Sequence, residues 1–567
     1  MSDSIAAFTP QIHEIVARLS DGMVERDQTL RVALLGSLAG ENVLLVGPLG
    51  TAKSLLARRM AGTFSECQYF QYMLTRFTSP DELFGPVSLK QLKERDEFRR
   101  KVDGYLPNAE VAFIDEIFKA SSAILNSLLT LLNERLYFNG GEVVRSPLLV
   151  LIAASNEVPE EDELAALYDR FTVRLTLNPI VDEDNVLRML RHPDPGLDWT
   201  MAASLRLTPT DVQRIRQDAK ETTLTPAAEK LILRVKREIE ALAAQDPQDP
   251  WRYYVSDRRW RQAVRFMRTS AWLNGRDYVH PVDCALLRHC LWNRVEDESV
   301  ILRCIEGAFD DANMAFGLDL DSFVQRWMRL LSEMRDREGI SFPIFNGYVL
   351  THGGQRLVMS DLRAADLMQG SFESVRGTGF YCDPRTNTLR RVRLRQDGTF
   401  LFNVGFGTQP VPDAPTFAAL VRAGNTPQYE EGAVQVERRT SPGMSLDFGA
   451  APQALRDMYD RELGRIRIML EEIESDRHDA VEEVDALMRE HLFVPQGDVR
   501  ALRSGLVRTE LVVREWQVKV QTLAEAVRSG GVWETTDIDL SGDGARATGA
   551  PVEGGMDALL ALDGRAR

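Results

Sequence analysis

The chain has 567 residues, and at roughly 150 residues per domain it has room for about three or four domains. Hydrophobic residues make up 44% and charged residues 27%, a globular composition that excludes the disordered, fibrous and disulfide-stapled classes. Lys plus Arg total 68 against 84 Asp plus Glu, a net charge of −16, so no nucleic acid partner is expected: proteins that neutralise many phosphates lean the other way.

Five scattered cysteines (Cys67, Cys284, Cys290, Cys304 and Cys382) without a C-x-x-C pair fit a reducing compartment. The first residues lack a basic region followed by an apolar one. No stretch reaches the ~18 consecutive apolar residues of a membrane span, so a cytoplasmic location with no transmembrane segment is expected.

Over residues 1–190, continuous apolar runs alternate with helical patterns. The runs Asn42 to Val46, Val111 to Ile114 and Leu148 to Ala154 suit strands covered on both faces, hence an α/β domain with a mainly parallel sheet. Directly after the first run come Gly47-Pro48-Leu49-Gly50-Thr51-Ala52-Lys53-Ser54 and the helical LLARRM. A glycine-bearing loop between a buried strand and a helix turns N–H groups toward an anion, and the helix dipole adds to the attraction. Lys53 would reach the β and γ phosphates of ATP, and the Ser54 hydroxyl would complete the shell of a Mg2+ ion. Ala52 stands where a glycine is usual, and is expected to fit only with right-handed helical dihedrals.

The second run ends in Asp115 and Glu116. Asp115 suits the Mg2+ ion through its water shell, while Glu116 can orient and polarise an attacking water. The third run leads into Asn156, whose neutral amide can hold that water without adding negative charge. Further on, Arg170 can neutralise charge growing on a transferring phosphoryl group, and supplied in trans it ties hydrolysis to assembly; a salt bridge to Asp169 is the structural alternative.

Residues 191–306 read as helical, with segments over Ala227 to Ala243 and Asp257 to Leu273 and an apolar helix beginning at Pro281. A Ser256 or Asp257 cap would aim Arg258 toward the nucleotide, with Arg259 an alternative of the same chemistry. A stalk helix is expected within 307–338, then a small β-rich domain over 339–450 marked by frequent glycines and turn signals. Over 451–528, apolar positions stepping by four and three (Tyr459, Leu463, Ile466, Leu470, then Leu502, Leu506, Val513) flank Pro495-Gln496-Gly497 and predict an antiparallel helical hairpin. The tail, 529–567, lacks sustained periodicity and is expected to be disordered; Met556 to Leu562 could at most form a short docking helix.

Taken in order, these motifs resemble AAA+ ATPases of the MoxR family, and within it the RavA type. The likeness covers most of Glu25 to Asn293 and includes GPLGTAKSL, FGPVSL, GYLPNAEVAFIDEI, AILNSLLTLLNER, AASNE, ALYDR and YVSDRRW. It implies a P-loop sheet core with a helical lid over 191–306, followed by a helical stalk interrupted by the β-rich domain. It also implies an insert over about Gly85 to Asp103, a hairpin over about Glu134 to Pro147, and a homohexamer in which Arg170 serves the neighbouring subunit's nucleotide. The implied function is ATP hydrolysis driving chaperone-like remodelling, with a von Willebrand factor A domain protein of the ViaA type as partner. In enterobacterial relatives the β-rich domain contacts a lysine decarboxylase, but Gly339 to Leu446 matches too little for that contact to carry over. The alternative function is an ATP-gated interaction scaffold whose β-rich module and stalk bind a partner without remodelling it.

Overall fold

The computed structural model describes residues 2–159, 162–191, 199–310, 316–335, 337 and 444–535, together with strand segments between 341 and 438. The chain divides into two compact units, Met1–Leu318 with Ser475–Glu510, and Asp319–Glu474 with Leu511–Arg567.

Over the first 190 residues of the first unit the strands are β1 (Val43–Val46), β2 (Tyr69–Met73), β3 (Val111–Asp115), β4 (Leu136–Asn139), β5 (Glu142–Arg145), β6 (Val150–Ser155) and β7 (Val173–Thr176). Five of them form a parallel sheet in the order β2-β3-β6-β1-β7. The three apolar runs are β1, β3 and β6, and they are neighbours at its centre. Every residue of β1 and β6 is buried, which is why these runs are apolar throughout rather than alternating. Helix Asp27–Ala39 packs so closely that a Cβ at Gly36 would come 2.9 Å from Val43 Cγ2.

Two excursions leave this core. Between Gly85 and Asp103 a bridge joins Val87 to Arg100 around the short helix Leu89–Arg95. Strands β4 and β5 form an antiparallel hairpin after helix Ser122–Glu134, with Phe138 and Val143 exposed.

The helical part of the unit is built from Pro209–Ala219, Pro226–Gln245, Asp257–Leu273 and Glu298–Asp310. Side chains of Thr208, Thr225 and Ser256 accept from N–H groups in the first turn of the first three, each cap worth about 1 kcal/mol. Ser256 rather than Asp257 is thus the cap before Arg258. The helix expected from Pro281 is a run of 3-10 turns, Pro281–His289. Its first turn is closed locally, because the His280 ring accepts from Val282 N–H and Asp283 accepts from His280 N–H.

Helices Gln453–Glu490 and Arg500–Ser529 are the arms of the hairpin, and their tip belongs to the first unit. There Leu492 N–H donates to Asn274 Oδ1 at 2.9 Å, while Gln28 and Arg31 donate to the carbonyls of Phe493 and Leu492 at 2.6 and 3.0 Å.

In the second unit the stalk helix is Leu320–Arg335; residues 307–310 belong to the preceding helix, and Gly317, with φ 70°, lies outside both. Trp327 meets Trp516 and Trp533 edge-on, at centroid distances of 5.7 and 6.1 Å. The described strands between 344 and 438 pair antiparallel. Val532–Thr535, inside the segment expected to be disordered, forms a strand against Met444–Asp447, because Trp533 supplies a large apolar side chain that is 4% exposed. Residues 536–567, which include 556–562, lie outside the described residues. Among the described residues no helix is long and apolar enough to cross a membrane.

Candidate nucleotide site at the strand ends

A parallel sheet collects the loops that follow its strands along one edge. Here β3, β6 and β1 end level with one another, with Ile114 opposite Ala153 and Val46 opposite Ser155. Asp115-Glu116, Asn156 and the Gly47–Ser54 loop therefore emerge side by side. The loop is held to its neighbour by Gly47 N–H donating to Ser155 O at 3.1 Å, and Gly47 is obligatory: a Cβ there would lie 2.2 Å from Leu177 O.

Lys53 opens helix Lys53–Ala61 and is 7% exposed. Its Nζ donates to Gly47 O at 2.5 Å, Pro48 O at 3.0 Å and Asn156 Oδ1 at 2.8 Å. Asn156 Nδ2 in turn donates to Glu116 Oε1. Glu116 is buried and ion-paired with Lys119 at 3.3 Å, and its own N–H donates to Asp115 Oδ1 at 3.0 Å. A chain of hydrogen bonds thus joins cation, amide and carboxylate across three adjacent strand ends. Burial lowers the Lys53 pKa, and the nearby Asp115 and Glu116 charges oppose that shift.

Ala52 departs from expectation. Its φ of 69° and ψ of 22° are left-handed, as is the φ of 54° at Glu116. The turn from β1 into the helix demands positive φ immediately before Lys53, and the loop's contacts override alanine's preference at a cost of about 1–2 kcal/mol. Ala52→Gly is therefore expected to stabilise the protein by about 1 kcal/mol, seen as a rise of a few degrees in Tm on thermal denaturation. A fall in Tm would contradict the strained assignment.

Arg170 and Arg258 are not brought to this corner. Arg170 precedes β7, and its carbonyl accepts from Nδ2 of Asn42, the residue before β1, at 2.9 Å, so it lies at the opposite edge of the sheet from Lys53. It pairs with Asp169 at 3.3 Å; burial lowers its pKa and the nearby Arg258 charge adds to that shift. Arg258 lines a cavity with Gln262 and Arg265, which donate to Glu41 just before β1, so it stands on the same edge. The sequence points to Arg258 with Arg259 as the alternative, and the structure separates the two. Arg259 is buried and committed to Asp169 and Asn293 Oδ1, both at 2.7 Å, whereas Arg258 is half-buried.

Two supporting residues carry no sequence signal of their own. Arg174 is fully buried in the middle of β7, stacked 3.8 Å from the Tyr168 ring centroid and donating to Phe171 O at 2.9 Å and Asn293 Oδ1 at 2.9 Å. Glu41 is buried just before β1 and accepts from Thr172, Gln262 and Arg265. Together they fix the β1–β7 edge against the helical part.

A parallel P-loop sheet followed by a helical lid defines the AAA+ class of ATPases. Residues 10–216 match the family described as the MoxR domain in the MoxR-vWA-beta-propeller ternary systems, and residues 228–305 match the AAA lid domain. Two uncharacterized proteins of Methanocaldococcus jannaschii are similar. One is 36% identical over 303 residues (53% of this chain, 75% of the relative), the other 37% identical over 286 residues (50% and 72%). Protein MoxR of Paracoccus denitrificans is 26% identical over 310 residues, covering 50% of this chain and 87% of its own length. The chain belongs to the MoxR family of AAA+ ATPases.

Proposed function

We propose that the chain hydrolyses ATP with Mg2+ at this corner and uses the turnover, as a hexameric ring in the cytoplasm, to remodel a partner protein. The observation that carries the proposal is the hydrogen-bonded chain Lys53–Asn156–Glu116, which gathers a cation for the phosphates and two polar groups for the attacking water. Mg2+ takes oxygen ligands and binds through few protein groups plus phosphates; the Ser54 hydroxyl and Asp115 carboxylate are of that kind and would hold it. When bound, the ion offsets negative charge on the phosphates. Glu116 then draws the proton from the water that Asn156 holds, and Lys53 keeps the phosphates in place.

Arg170 and Arg258 stand on the edge away from their own chain's Lys53, which supports a head-to-tail ring in which both serve the next subunit's nucleotide. The matched family's description supports a von Willebrand factor A domain protein as partner, and we take the ViaA type as the closer reading.

The ring reading is tested by mixing two inactive variants. Lys53→Ala and Arg170→Ala should each abolish steady-state ATPase activity. Mixed in equal amounts they should recover part of it, since random assembly gives roughly one interface in four an intact Lys53 facing an intact Arg170. No recovery, or full turnover by Arg170→Ala alone, would rule out the shared site.

A further inference from the structure

At the sheet edge opposite the P-loop a cavity of about 340 Å³ opens, and Arg135, Arg145, Arg216, Lys220 and Arg265 line it. Four separate pieces of the first unit deliver these cations. Arg135 follows helix Ser122–Glu134, Arg145 ends β5, Arg216 with Lys220 closes helix Pro209–Ala219, and Arg265 lies on helix Asp257–Leu273. Residues as far apart in sequence as Arg135 and Arg265 are thereby held around one space.

Three of the side chains, Arg135, Arg216 and Arg265, are held in place by hydrogen bonds. Arg216 donates to Leu38 O at 3.0 Å, Ser37 O at 2.8 Å and Leu149 O at 2.8 Å, satisfying the end of helix Asp27–Ala39 and the entry to β6. Arg135 donates from Nη2 to Asn42 Oδ1 at 3.2 Å, while its Nη1 is buried without a hydrogen-bond partner. A buried guanidinium nitrogen left unpaired costs free energy, and it costs more beside like charges.

Charge compensation is incomplete. Among the described residues, Glu41 is the carboxylate that acts on Arg135 and Arg216, and it is already spent on Thr172, Gln262 and Arg265. Among the described residues, the lining carries five cations and no carboxylate. Burial, with Arg265 beside both and Arg135 beside Arg216, holds the two guanidinium groups down at about 10 each, still charged at neutral pH.

We propose that this cavity is a binding site for a compact polyphosphate anion, distinct from the P-loop. Planar guanidinium groups match phosphate oxygens in paired hydrogen bonds, and a multiply charged ligand is what several converging cations compensate. The size is at the small end of ligand pockets, which run about 300–1,000 Å³. Among the described residues no aromatic side chain lines the space, so a nucleobase has nothing to stack on. Recognition therefore falls on the phosphate chain, whether inorganic or the tail of a nucleotide.

The test uses the full chain carrying Lys53→Ala, which weakens phosphate binding at the P-loop. It is titrated by calorimetry at low salt with sodium tripolyphosphate, with ATP, and with an oligothymidylate as separate arms. Tripolyphosphate is expected to bind once per chain. Adding Arg135→Gln or the exposed Arg145→Gln should weaken it tenfold or more, and circular dichroism should show each variant folded. Equal affinity for tripolyphosphate and ATP would place recognition in the phosphates. Absent binding, affinity unchanged in the folded Arg145→Gln variant, a preference for ATP, or tighter binding of the oligonucleotide would each overturn the proposal.

Discussion

Glu116→Gln is expected to leave ATP bound and to lower its hydrolysis by a factor of about 100 to 10,000, the usual contribution of a positioned general base. Glutamine matches glutamate in shape, so its amide oxygen can still accept from Asn156 Nδ2, and the left-handed backbone at 116 is unchanged. What disappears is the negative charge that draws a proton from water and pairs with Lys119. The Lys53 contacts to Gly47, Pro48 and Asn156 do not involve Glu116 directly, so the phosphate cradle stays intact. Loss of the charge also removes one of the two carboxylates that act on Lys53, so nucleotide affinity should hold or rise slightly. Phosphate release and binding of a fluorescent nucleotide separate the two effects. Unchanged turnover would remove Glu116 from the chemistry, whereas loss of binding would assign it a structural role.

The centre of the sheet and the phosphate loop were legible because their signals are contiguous. β1, β3 and β6 are unbroken apolar runs, and Gly47 to Ser54 is a single stretch. The sheet's flanks were not. β2 alternates exposed and covered residues at an edge, and β7 carries a buried arginine that reads as polar until Tyr168 and the carbonyl groups around it are in place. The strand at Val532–Thr535 escaped for a similar reason: four residues are too few to show a period, and only Trp533 marks them. Ala52 is left-handed against its residue preference because the loop, not the side chain, decides that dihedral. Arg170 and Arg258 were legible as chemistry but not as geometry, since which sheet edge they occupy depends on strand order. The cation-lined cavity had no signal, because each of its arginines is an ordinary helix or strand residue until the others arrive.

Asp283→Asn is expected to destabilise the first unit by about 3–5 kcal/mol, the cost of breaking a buried ion pair from one side. Asp283 is fully buried and holds Arg276 through two hydrogen bonds of 2.7 and 2.9 Å, Ser270 at 3.1 Å, and the His491 ring of the hairpin tip at 3.2 Å. Removing its charge strands the guanidinium of Arg276, itself 7% exposed. Burial alone would push the Asp283 carboxyl up; Arg276 and His491 outweigh it and hold the group far below the usual carboxylate range. A depressed carboxyl stabilises the fold above its unfolded pKa, near 4, and that share is lost only as pH falls toward the folded value. Acid sensitivity at milder pH comes instead from histidines. Burial lowers His280 to about 4 and His289 to about 3, so between pH 6.5 and those values the unfolded chain takes up protons that the folded one refuses. The two together should cost about 4 kcal/mol on going from pH 7.5 to pH 5. Denaturant titrations of both forms at the two pH values should therefore show the wild type losing stability on acidification, and Asp283→Asn carrying its own deficit at both. Equal wild-type stability at pH 7.5 and 5 would mean that His280 and His289 are not held neutral in the folded protein. A deficit under about 1 kcal/mol in Asp283→Asn would mean that Arg276 finds another partner.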